Sequence, residues 1–181
     1  MKVIFSIIII FFLSIQLYSQ KEFNNWITTN YFLVNFNTES GNPLAQNLNQ
    51  IIPTFVTGTP ATISDSEGKL LFFTNGVVVY NKNYQIMNNG EGLLGDSSIH
   101  SGNDHQCLIV PLPDAENIYY VFTTGVRQYF DGIKGNNSGL RYSIVDMKQD
   151  NGLGAVIKKN VNILDNTSGQ VNGTLHQNGK D

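Results

Sequence analysis

The sequence predicts an all-β fold built of antiparallel meanders. Three observations carry that prediction. From Ala61 onward the chain is written in short runs rich in β-branched and aromatic residues. Those runs are separated by Gly, Asn, Asp and Pro clusters that suit tight turns. No window shows a sustained apolar stripe at helical spacing with capping residues at its ends.

The elements follow in order. Ala61–Ser64 leads into the turn Asp65-Ser66-Glu67-Gly68 and then Lys69–Thr74 (KLLFFT). Asp bonds nearby backbone and Gly accepts positive φ, so this reads as a hairpin. Asn75-Gly76 is a second hairpin signal, ahead of Val77–Tyr80. A second set comprises Gln106–Leu112, the turn Pro113–Asn117, Ile118–Thr124, Leu140–Met147 and Ala155–Leu164. Asn88–Asp104 and Gly125–Gly139 are rich in Gly, Asn and Ser and read as long loops, the places where recognition usually sits. In the stretch before Pro60, Trp26, Tyr31, Phe32 and Phe36 are expected to form a strand that docks on a later unit. Asn37–Gln50 is polar and reads as loop. Phe73, Tyr120 and Phe122 are expected to be buried, because aromatics at alternating positions usually face a core.

The two sets repeat weakly. Leu70–Thr74 (LLFFT) aligns with Tyr119–Thr123 (YYVFT), and at the same offset Ile63 meets Leu112 and Asp65 meets Asp114. Strand units recurring every ~40–50 residues are the mark of propeller blades. The fold class is therefore all-β, with antiparallel meanders resembling the first blades of a β-propeller. Propellers need about 4–8 blades, and the chain stops just after a turn signal (QNGK). It is expected to be the amino-terminal piece of a longer protein.

The first residues carry an address. Lys2 gives a positive start, Val3 to Leu17 is almost wholly apolar, and Ser19 offers a small residue for cleavage before Gln20. The run is shorter than the ~20 residues of a membrane span and is broken by Ser6, Ser14 and Gln16. It reads as a secretory signal peptide over residues 1–19, with no cysteine nearby to take a lipid. The segment 20–60 follows, partly loop, and then the blade-like region 61–181. Without the leader, ten basic residues face fourteen acidic ones. That balance offers no basic stripe for nucleic acid. A single cysteine excludes an internal disulfide framework and a four-cysteine zinc site.

Several stretches resemble one known group in the same order. They are NNW (Asn24–Trp26), VNFNT (Val34–Thr38), the long run Ala61–Gly95, QCLIVPLP (Gln106–Pro113), IYYVFTT (Ile118–Thr124), GLRYSIVDM (Gly139–Met147), NGLGAV (Asn151–Val156) and HQNGKD (His176–Asp181). Together they resemble the amino-terminal region of large surface proteins of gliding bacteria. Proteins of that group end in a gliding-motility-associated, type B sorting domain used by the type IX secretion system. The resemblance implies a β-propeller followed by adhesion-type repeats, and secretion through a downstream domain outside this chain. It carries no catalytic residues. Ile27-Thr28-Thr29 departs from the group's aromatic and glycine after the tryptophan, and Ser97–His105 is richer in His and Asp.

Candidate chemistry is sparse. His100, Asp104 and His105 (HSGNDH) form a cluster of metal-ligand types, but their spacing matches no standard zinc pattern, and a solvated polar loop explains them better. His176 reads as a hydrogen-bonding partner of a neighbouring hairpin. There is no G-x-S-x-G run. Cys107 reads as a buried strand residue. Asp146–Asn151 and Asp165–Asn166 lack the calcium-loop pattern and read as turns. The glycosylation-type triplets at Asn136, Asn166 and Asn172 mark exposed turns. No catalytic, cofactor or metal residue is assigned. The expected function is a non-enzymatic, cell-surface binding platform for a glycan or an envelope protein. The alternative is an exported hydrolase or metal-dependent enzyme using His100, His105 and His176.

Overall fold

A computed structural model describes residues 21–28, 32–52, 60–95, 106–125, 139–167 and 170–173. The leader and the residues His100, Asp104, His105 and His176 lie outside the described residues.

The fold is all-β, as predicted. Strands β1 (Asn25–Ile27), β2 (Phe32–Asn35) and β3 (Leu44–Asn47) form a small antiparallel sheet. Strands β4 (Ala61–Ser64), β5 (Leu70–Thr74), β6 (Val78–Asn81) and β7 (Ile86–Glu91) form a first four-stranded meander. Strands β8 (Cys107–Pro111), β9 (Ile118–Gly125), β10 (Gly139–Asp146) and β11 (Ala155–Asp165) form a second. The only helical turn among the described residues is a short 3₁₀ segment, Asp150–Gly152.

The predicted turns form for the reasons anticipated. Asp65 Oδ1 accepts from the backbone N–H groups of Glu67 and Lys69, each at 2.9 Å. Gly68 closes that turn at φ +85°, its N–H on Asp65 O. Asn75 Oδ1 accepts from Val77 and Val78 N–H, with Gly76 at φ +87°. In these turns a short side-chain acceptor replaces backbone partners that a sheet would supply.

The two meanders pack face to face. Each of their strands sends one apolar side chain between them: Ile63, Phe72, Val79 and Met87 from the first, Ile109, Val121, Val145 and Val156 from the second, with Leu93 and Met147 beside them. All are at most 4% exposed. Full burial of such side chains stabilises by roughly 1.5–3 kcal/mol each. Along one side the meanders also join, through a parallel bridge between Ala155 and Asn88. Side chains reinforce that seam: Asn89 Nδ2 donates to Val156 O, and Asn160 Nδ2 donates to Gly92 O while its Oδ1 accepts from Leu94 N–H. The result is an eight-stranded, nearly closed sheet rather than two separate open blades.

The small sheet covers the other face of the first meander. Ile27, Leu33, Leu48 and Ile52 pack on Phe73 and Tyr80, whose rings stack 5.1 Å apart. Asn25 fastens it: its buried Nδ2 donates to Ser64 Oγ and Gly68 O, both at 2.9 Å. Thr62 Oγ1 donates to Asn25 O, and Asn37 Nδ2 donates to Glu67 O. The molecule is thus three sheet layers with two cores between them.

The expectations need four corrections. Leu44–Asn47, within the stretch read as loop, is strand β3, because β2 has a free edge to pair. Asn88–Glu91, at the start of a presumed loop, belongs to β7. Three of the four aromatics of the amino-terminal stretch do not do the docking: Trp26, Phe32 and Phe36 are exposed, Ile27 and Leu33 on the opposite face are buried, and Tyr31 lies outside the described residues. Phe73 is buried as expected, but Tyr120 and Phe122 are only half-buried. They alternate with Val121 and so stand on the outer face of the second meander, where Tyr142 joins them in a ring cluster.

The repeat is real at the strand level. β5 and β9 hold the same place in their meanders, and Phe72 and Val121 match. Ile63, however, pairs with Phe72 and Ile109 pairs with Val121, so the counterpart of Ile63 is Ile109, not Leu112. A longer second hairpin causes the slip.

Candidate functional site

A cleft of about 630 Å³ opens where the small sheet overhangs the end of the first meander. Its walls come from β2 and β3 on one side (Leu33, Asn35, Leu44, Ala45, Gln46) and from two turns on the other. The Asp65–Lys69 turn contributes Gly68 and Lys69, and the Asn81–Gln85 turn contributes Lys82, Asn83 and Tyr84. Asn25 and Asn37 also line it and are committed to the latch already described.

Tyr84 is held in a constrained conformation in this cleft. It holds φ +62°, uncommon for a residue with a bulky side chain. Asn81 imposes that conformation: its carbonyl accepts from Tyr84 N–H at 2.9 Å, and its Oδ1 accepts from Asn83 and Gln85 N–H. The Tyr84 ring leans on Phe73, 6.2 Å between centroids, and its hydroxyl lies 3.5 Å from Gln46 Oε1, a long contact. Burial pushes the phenol above its ordinary pKa, so it stays a neutral donor and acceptor at physiological pH.

The remaining polar groups are committed to different degrees. Asn35 uses its Oδ1 on Asn37 N–H and keeps its amide N–H₂ uncommitted among the described residues. Lys69 is paired with Glu67 at 2.5 Å, and both side chains are largely exposed. Lys82 is exposed, and no carboxylate lines the cleft. Amides, a ring and ammonium groups facing one recess can orient a polar ligand through several hydrogen bonds. A second, smaller cleft of about 380 Å³ between the hairpin ends has the opposite character, with Glu22, Asp65 and Glu116 in its walls. There the Tyr119 phenol is pushed up by burial first, then by the Asp65 and Glu22 carboxylates.

Of the residues singled out in the sequence, those among the described residues do not assemble into this site. Cys107 is buried, with Sγ 3.8 Å from Thr74 O, and burial pushes its thiol up to about 12. A thiol so protonated is no nucleophile. Asp146 Oδ2 accepts from Gln149 Nε2 and, to a lesser effect, its Oδ1 from Lys148 N–H; these bonds hold its carboxyl below the ordinary range. That is turn chemistry, as read. Asn166 sits in an exposed turn at φ +59°. Among the described residues no group of three His, Cys, Asp or Glu side chains is placed to hold a metal, and no helix is long and apolar enough to cross a membrane. Conversely, Asn35, Gln46, Lys82, Asn83 and Tyr84 were not anticipated. The sole hint was NKNYQ (Asn81–Gln85), a turn sequence with an aromatic where a small residue would be easier.

Searches against family models, curated proteins and solved structures find no significant match.

Proposed function

We propose that this chain is the amino-terminal part of an exported, cell-surface protein and acts as a non-enzymatic binding platform. The observation that carries the reading is the cleft between the small sheet and the first meander. It gathers amides that keep hydrogen-bonding capacity and a conformationally fixed tyrosine on sheet layers locked by two cores. Rigid layers that present polar groups from turns are a scaffold for recognition. The signal-type leader and the resemblance to type IX-secreted surface proteins support export and surface display.

Surface biotinylation of the native cells, followed by amino-terminal sequencing, tests the location. A labelled protein beginning at Gln20 is the expected result; an unlabelled one that retains Met1 contradicts export. Adhesion of cells carrying Tyr84→Ala to matrix material tests the platform. Reduced adhesion at unchanged surface level is expected, and wild-type adhesion counts against the cleft.

A further inference from the structure

We infer that the cleft beneath the small sheet binds an acidic saccharide, a uronate-bearing chain; this rests on the binding-platform reading and deepens it. Three features of the walls point to that class. The cleft is lined by Lys69 and Lys82 and by no carboxylate, although the chain as a whole carries a net charge of -3. An anionic polymer is repelled from the acidic cleft at the hairpin ends, with its Glu22, Asp65 and Glu116, and is accepted here. Lys69 is partly neutralised by Glu67, so Lys82 supplies most of the unshared positive charge.

The second feature is the type of polar group. Asn35, Gln46 and Asn83 present amides, which donate and accept at once and so match vicinal hydroxyl groups. The third is the Tyr84 ring, held in the left-handed region by the Asn81 turn and packed on Phe73 behind it. A sugar has an apolar face as well as polar edges, and a fixed aromatic wall gives that face contact area with little entropy loss. The volume, about 630 Å³, suits a few sugar rings. Ammonium groups then pair with the carboxylates through charge-assisted hydrogen bonds, which are short and salt-sensitive.

Isothermal titration of the purified full chain with pentagalacturonate and, separately, with neutral laminaripentaose tests this. The acidic oligomer should bind and weaken as salt rises, and the neutral one should bind at least about tenfold more weakly. Lys82→Gln, at an exposed position, should weaken the acidic oligomer by about tenfold and flatten the salt dependence while the melting curve stays unchanged. Tyr84→Ala should weaken both oligomers. Equal binding of both oligomers, indifferent to Lys82→Gln, would overturn the acidic class while leaving a saccharide platform standing. Binding of neither, with cell adhesion still lost in Tyr84→Ala, would overturn the saccharide and leave a platform for another partner. Binding of neither with adhesion intact would remove both readings.

Discussion

Cys107 shows how far one residue's environment decides its chemistry. It sits at the start of β8, paired with Thr123 and 7% exposed. The folded thiol keeps its proton to about 12, against an ordinary value of 9.0. Its contribution to stability is therefore complete below about pH 9 and is lost as pH climbs toward 12. By about pH 10.5 the loss is about 2 kcal/mol. Denaturant titrations at pH 8 and 10.5 should show that extra loss in the wild type and not in Cys107→Ala; parallel pH slopes would contradict it. The same burial predicts that a thiol reagent labels the native protein at pH 8 far more slowly than the unfolded chain. The buried character of Cys107 was legible from its apolar neighbours Leu108-Ile109-Val110. The strained backbone of Tyr84 was not, because it depends on Asn81 closing the turn from three residues away.

At the scale of elements, the turns are where the sequence dictates structure most directly. Gly68 needs its φ of +85°, and an added Cβ would lie 2.9 Å from Asn37 Cγ. Gly68→Ala should destabilise by about 1–3 kcal/mol and loosen the small sheet, because Asn37 must shift from its bond to Glu67 O. Asn25→Ala removes two buried hydrogen bonds to Ser64 and Gly68 and should cost about 1–3 kcal/mol. Denaturant midpoints measure both; an unchanged midpoint in either variant would refute the latch. The strands that escaped sequence reading are those with little apolar signal. All four residues of β3 are exposed, and β7 buries only Met87 and Gly90. Both exist because a neighbouring strand offers an edge, and such tertiary demand leaves no period-2 pattern to read. The cleft was hidden for a related reason. Its walls come from β2–β3 and from two turns further along the chain, brought together by the packing of Ile27 and Leu33 on Phe73 and by the bonds of Asn25 and Asn37.

For the whole molecule, the layered arrangement has a cooperative consequence. The core between the meanders takes one side chain from each of eight strands, so neither meander can open without exposing the other's apolar face. Val145→Ala in β10 should lower stability by roughly 1–3 kcal/mol. Amide exchange should quicken by similar factors in β5 and β9, and loss of protection confined to the second meander would show that the two are independent units. On the outer face of that meander, Tyr120 and Phe122 are half-buried beside Tyr142; the sequence places these two in the core because alternation in a strand reports two faces and not which one is covered. Lys158 partly shields it, its Nζ 5.8 Å from the Tyr142 ring centre.

The central claim is that recognition takes place in the cleft under the small sheet. The most direct test is a two-dimensional amide NMR titration of the full chain with pentagalacturonate. The account predicts shifts concentrated at Asn35, Gln46, Lys82, Asn83 and Tyr84. Shifts centred instead on Tyr120, Phe122 and Tyr142, or spread without a focus, would contradict it.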